Sequence, residues 1–212
     1  MIFTHGADLL FFPHSGKSSL LLALFRMLDL TTGDILIDNI SLSPLRRQAI
    51  CCSFVTISQE PYFLAGTIRF NIDPFRSLDS DIAVQFALRK VGLWNLIQEN
   101  GGLDVPIDKT PLSKGQEQLF CLARALVRKV ALGNKNHGIL VLDEVTSSVD
   151  SATEETMLEV LEDEFKGWTT LSVAHRLGTI RGYDKLLVLD GGRVVEEGNP
   201  DQLIGQECGM FR

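Results

Sequence analysis

Long hydrophobic runs, paired cysteines and an excess of positive charge are all missing from this 212-residue chain, and each absence narrows what it can do. No apolar stretch approaches the ~18 to 20 residues that span a bilayer, so the segment itself is not expected to cross one. No Lys or Arg precedes Lys17, and Asp8 stands ahead of the short run Leu9-Leu10-Phe11-Phe12, so the positive region of a secretory signal is lacking. The four cysteines, Cys51, Cys52, Cys121 and Cys208, include no C-x-x-C pair, which suits neither a disulfide framework nor a zinc site. They read as reduced thiols of a cytosolic compartment, with Cys51, Cys52 and Cys121 expected as small buried side chains. With 20 basic against 27 acidic residues the net charge is -7. No broad cationic field is available for nucleic acid, and any phosphate ligand must be held by a local site. What is present, 45% hydrophobic and 22% charged residues with only 7 prolines, describes a folded globular chain of about one domain's size.

Strand and helix patterns alternate, which predicts a layered α/β fold. Leu20, Leu21, Leu24 and Leu28 recur at helical spacing and predict a helix over 18–28, starting at Gly16-Lys17. Short strands are expected at 34–38 and 53–57, then helices at 81–91 and 93–99 stopped by Gly101-Gly102. Ser113 to Arg128 is the clearest helix. Leu119, Leu122, Ala123 and Leu126 form its apolar stripe, and Ser113 with Gln116 makes a capping box. Ile139 to Leu142 is an unbroken apolar run ending in Asp143-Glu144, the look of a parallel strand buried on both faces. Thr170 to Ala174 repeats that pattern and ends at His175. Lys185 to Asp190 and Arg193 to Glu196, separated by Gly191-Gly192, read as a hairpin.

Ser15-Gly16-Lys17-Ser18-Ser19 is the second half of a phosphate-binding loop of the form G-x-x-x-x-G-K-[ST]. In such a loop backbone N–H groups and a helix N-terminus face the phosphates, the lysine neutralises them and the hydroxyl ligates magnesium. The tripeptide by itself also fits any solvated helix start. Phe11 stands where the first glycine belongs, and Pro13 has no N–H to donate, so the turn before the lysine departs from the pattern. Asp143 and Glu144, after a buried strand, supply one carboxylate for magnesium and one to polarise an attacking water.

With Leu112-Ser113-Lys114-Gly115-Gln116 ahead of that strand, the chain resembles the nucleotide-binding domain of an ABC transporter, a P-loop ATPase. Gln59 in Ile57-Ser58-Gln59-Glu60-Pro61 is similar to the family's Q-loop, Ser147-Ser148-Val149-Asp150 to its D-loop, and His175 to its switch histidine. The wording of Phe63 to Arg69 and Asn71 to Pro74 resembles the second such domain of the multidrug-resistance-associated (C) subfamily. The resemblance implies one ATP-binding domain over 1–212. Its fold would be a mostly parallel sheet flanked by helices, a helical insert at about 59–112 and a reduced N-terminal antiparallel β part. It implies ATP and magnesium as ligands. Ser15, Gly16, Lys17, Ser18 and Ser19 would hold the phosphates, and Ser18, Gln59 and Asp143 would serve the metal. Glu144 would be the general base, with His175 beside the γ-phosphate. Ser113, Gly115 and Gln116 would act on ATP held by a second nucleotide-binding domain. Transmembrane domains absent from this chain are the other implied partner, placing it on the cytosolic face of a membrane, where ATP turnover drives export of a small molecule. Because only 13 residues precede His14, the domain is expected to be incomplete at its N-terminus. That and the altered loop leave a second reading, a degenerate module that pairs with an intact transporter without hydrolysis. Glu117 also departs from the family, standing where a basic residue commonly follows the signature.

Overall fold

The computed structural model describes residues 2–3, 9–13, 17–78, 81–133, 137–145, 149–173 and 183–204. The chain divides into two units, one of Met1–Phe54, His137–Glu144 and Gly167–Arg212, the other of Val55–Asn136 and Val145–Lys166.

The first unit holds the strands β1 (Ile2–Phe3), β2 (Leu9–Pro13), β3 (Leu36–Ile37) and β4 (Ile40–Ser41). The strand β5 (Phe54–Ile57) leads out of it, and β6 (Ile139–Asp143), β7 (Thr169–Val173), β8 (Lys185–Asp190) and β9 (Arg193–Gly198) complete it. Its main sheet has the order β6-β7-β2-β8-β9, parallel except for the antiparallel edge β9. Residues 139–142 are all buried, as an apolar run covered on both faces requires. The β8–β9 turn places Gly191 at φ 52° and Gly192 at φ 77°, the two left-handed positions that a two-residue hairpin turn needs. A small sheet, β1-β3-β4, stands apart from the main one, with β3 and β4 antiparallel.

The inner strand β2 was not legible in the sequence, where Leu9 to Phe12 passes as a short apolar stretch. It pairs with β7 from Leu9↔Leu171 to Phe11↔Val173 and with β8 from Leu9↔Lys185 to Pro13↔Leu189. Parallel partners lie far away in sequence, so no local turn announces such a strand. Among the described residues the pairing with β7 runs to Phe11 and that with β8 reaches Pro13.

The helix α1 (Lys17–Leu24) starts where the leucine spacing predicts and ends before Leu28. Arg26, at φ 54°, takes the left-handed position that glycine usually fills. Its N–H donates to Ala23 O (3.0 Å) and that of Met27 to Leu22 O (2.7 Å). The Arg26 guanidinium holds the turn by donating to the main-chain oxygens of Ser43 (2.8 Å) and Leu45 (2.5 Å). Leu21 and Leu24 pack with Val141, Leu171 and Leu187 of the sheet to form this unit's core. Within α2 (Arg47–Ser53) Ile50 is buried, and Cys52 is exposed, correcting the expectation that it is buried. Two residues along a helix turn the side chain to the opposite face. Cys51 is half-buried and Cys121 buried, while Cys208 lies outside the described residues.

The second unit is mostly helical: α3 (Ile68–Ile72), α4 (Asp81–Lys90), α5 (Trp94–Glu99), α6 (Lys114–Ala131) and α7 (Ser151–Glu164). After α5 the chain stops at Gly101 and Gly102, at φ 103° and 87°, and the Gly102 N–H bonds Ile97 O at 2.8 Å. The capping box of α6 is complete. Ser113 Oγ accepts from the Gln116 N–H (3.2 Å) and Gln116 Oε1 from the Ser113 N–H (2.9 Å). Lys90 of α4 reaches Asp163 and Glu164 of α7, both at 2.8 Å, and these bonds raise its pKa above the ordinary lysine value. The expected α/β fold is therefore present, with a mostly parallel sheet, helices α3 to α5 in the stretch read as an insert, and a small N-terminal sheet. Among the described residues no helix is long and apolar enough to cross a membrane.

Candidate functional site

In open parallel sheets ligands bind beyond the carboxyl ends of the strands, and several predicted residues of the first unit stand at or just after such ends. Asp143 of β6 pairs with Val173 of β7, which pairs with Phe11 of β2, so these three residues lie in one row across the sheet. Lys17 and Ser18 open α1 on the chain that leaves β2. The N–H groups of a first helical turn lack intrahelical partners and sit at the positive end of the helix dipole. Glu144, next after β6, has φ 49°, and its N–H donates to Val173 O at 3.0 Å. A left-handed conformation costs a non-glycine residue roughly 1–2 kcal/mol, so the sheet holds this acid in a strained turn at the strand end. Asp143 and Glu144 are both half-buried and Ser19 is exposed. Ser15, Gly16 and His175, like Ser147 and Ser148, lie outside the described residues. Phe11, at the first-glycine position, lies within the sheet ladder with neighbours on both sides.

The second unit carries the other predicted residues. Gln59, exposed just after β5, has its main-chain oxygen bonded by Gln118 Nε2 of α6 at 2.5 Å. Ser113 and Gln116 form the α6 cap, and Gly115 is buried in its first turn. A Cβ on Gly115 would stand 2.8 Å from Thr153 Oγ1 and 3.4 Å from Asp150 Oδ2, so glycine here permits close approach to the start of α7. Asp150 caps α7. It accepts from the Thr153 N–H (3.0 Å) and hydroxyl (2.8 Å), bonds that hold its carboxyl below the usual range. Glu117, at the position where a base is common, pairs with Lys114 at 3.0 Å. Burial pushes the Cys121 thiol up, which makes it an unreactive packing group.

One unit thus unites Asp143, Glu144 and the start of α1, and the other unites Ser113, Gly115 and Gln116 with Asp150. Gln118, Arg124 and Thr153 escape a motif-based reading because their partners are main-chain atoms or the flank of a neighbouring helix. A carboxylate (Asp143), a hydroxyl (Ser18) and an amide oxygen (Gln59) are hard oxygen donors of the kind magnesium accepts. Among the described residues no three His, Cys, Asp or Glu gather as a thiolate or imidazole site would require.

The model of the family described as "ABC transporter" matches residues 14–147. The chain is 46% identical over 197 residues to the ABC multidrug transporter B of Aspergillus fumigatus, covering 93% of this chain and 13% of that protein. It is 47% identical over 188 residues to the ABC transporter ecdL of Aspergillus rugulosus, covering 89% and 12%. To the mouse ATP-binding cassette sub-family C member 10 it is 40% identical over 200 residues, covering 93% and 13%. The chain therefore spans only a small part of the length of these relatives. Among solved structures, a bacterial Atm1-family ABC exporter with ATP bound is similar with a TM-score of 0.82 and 31% identity, over 94% of this chain and 35% of that one.

Proposed function

The chain belongs to the ABC transporter family, and from that membership we propose that it acts as one ATP-binding domain of a C-subfamily transporter, coupling ATP binding and hydrolysis to export of a small molecule. The observation that carries the reading is the strained Glu144, locked to Val173 beside Asp143 at the carboxyl ends of neighbouring parallel strands. The C-subfamily assignment is supported by the wording of 63–74 and by the name of the mouse relative.

In this reading residues 15–19, with Lys17 foremost, hold the β- and γ-phosphates at the α1 N-terminus. Ser18, Gln59 and Asp143 would hold magnesium, which when bound neutralises charge on the phosphate oxygens. Glu144 accepts the proton of the water that attacks the γ-phosphorus, and His175 orients that water. Ser113, Gly115 and Gln116 face ATP held by a second nucleotide-binding domain, and transmembrane domains of the parent protein receive the resulting motion. The helical insert at about 59–112 belongs to the same domain.

A second reading, nucleotide binding without turnover in a module paired with an intact transporter, is favoured by one observation. Phe11, Phe12 and Pro13, which stand where a phosphate loop would begin, are committed to the ladder with β8. Steady-state ATP hydrolysis by the purified chain, with and without magnesium, separates the two. Glu144→Gln is expected to lower turnover by about 10²- to 10⁴-fold while nucleotide still binds. Binding by both forms with turnover by neither supports the second reading instead.

A further inference from the structure

Two side chains of α6 outside the signature segment fasten the Gln59 loop to that helix. Gln118 Nε2 donates to Gln59 O at 2.5 Å. Arg124 Nε donates to Asn71 O at 2.7 Å and its Nη2 to Tyr62 O at 3.1 Å. The guanidinium also lies over the rings of Phe63 and Phe120, at 5.8 and 5.7 Å. Asn71, fully buried, closes the segment through Leu64, accepting from its N–H (2.8 Å) and donating to its oxygen (2.9 Å). The chain from Gln59 to Asn71 is thus tied to α6 at three main-chain oxygens, those of Gln59, Tyr62 and Asn71.

Gln118 is an expensive way to make such a tie. It is 3% exposed, and among the described residues its Oε1 has no hydrogen-bond partner. An unpaired buried acceptor costs at least as much as one neutral hydrogen bond returns, so an apolar residue would serve stability as well.

We propose that Gln118 is a positioning residue, holding the Gln59 loop in fixed relation to the first turn of α6 so that Gln59 and the Ser113–Gln116 segment shift together. The inference rests on the reading of Gln59 as a magnesium residue. Gln118 stands two residues beyond Gln116, so a displacement at Gln59 reaches the signature segment through one amide. Arg124 makes the same connection farther along the helix and keeps the loop's far end from moving independently.

The test uses the full chain with Gln118→Met and Gln118→Glu. The methionine variant keeps the length and removes both the donor and the orphaned acceptor. It is expected to melt at or above the wild-type temperature while amides of residues 58–60 exchange about 10-fold faster. The magnesium concentration that half-saturates nucleotide binding rises by about 5- to 10-fold. The glutamate variant, which replaces the amide donor by a carboxylate beside the Gln59 oxygen, is expected to show the same rise in magnesium requirement. A merely structural role predicts a lower melting temperature with no change in magnesium requirement. Unchanged exchange at 58–60 overturns the tie. If wild type binds no nucleotide, the functional reading falls, and the exchange result still decides whether Gln118 positions the loop.

Discussion

Glu144 joins a strained backbone to the role of general base proposed for it. Its place after a buried strand was legible, because an apolar run ending in two acids is a sequence pattern. Its φ of 49° was not, because side-chain type says little about a backbone forced to turn under Val173. Glycine takes the left-handed region freely and a β-branched residue least readily. Glu144→Gly, which relieves a strain of roughly 1–2 kcal/mol, is therefore expected to melt no lower than wild type, whereas Glu144→Val keeps the strain and melts below the glycine variant, and both lose turnover. Thermal unfolding of the pair checks this, and equal melting temperatures for the two variants would contradict the strain. Gln118 was illegible for a different reason: its partner is the carbonyl of Gln59, an atom that every residue possesses.

At the scale of elements, signals written locally were read correctly and those written across the chain were not. The α6 start declares itself in Ser113 and Gln116, and Ser113→Ala is expected to cost about 1 kcal/mol in chemical denaturation. The β2 strand and the early end of α1 depend on β7, β8 and the Ser43 and Leu45 carbonyls, none of which is near in sequence. The α6–α7 contact inverts a common expectation. Replacing a helical glycine by alanine normally stabilises by roughly 0.5–1 kcal/mol. At Gly115 the new methyl meets Thr153 Oγ1 at 2.8 Å, and that hydroxyl is already engaged by Asp150. Gly115→Ala should therefore lower the melting temperature, and adding Thr153→Ala should recover part of the loss. A double-mutant cycle measures the coupling, and simple additivity of the two changes argues against the contact.

Over the whole molecule, acid sensitivity follows from several exposed carboxylates held below their ordinary range. Asp34 is lowered by the Ser41 and Ser43 hydroxyls, Asp104 by Arg69, Asp150 by the Thr153 N–H and Asp163 by Lys90. Their folded-state values are depressed, so their contribution is complete above the unfolded value of about 3.9 and is lost as pH falls through the folded ones. Circular dichroism across that window should show stability falling with pH, more gently in high salt because these groups are exposed. The division into two units places Lys17, Asp143 and Glu144 in one and Ser113, Gly115 and Gln116 in the other. Sequence motifs could assign residues to these roles, but only the backbone shows which of them share a unit. The claim on which the rest depends is that this chain holds magnesium nucleotide through the α1 N-terminus. Isothermal titration with ATP and magnesium tests it most directly. The account predicts saturable, magnesium-dependent binding by the wild-type chain that Lys17→Ala weakens at least about 10-fold, by loss of a charge-assisted contact. Absence of magnesium-dependent binding, or a Lys17→Ala chain that binds as wild type does, would contradict it.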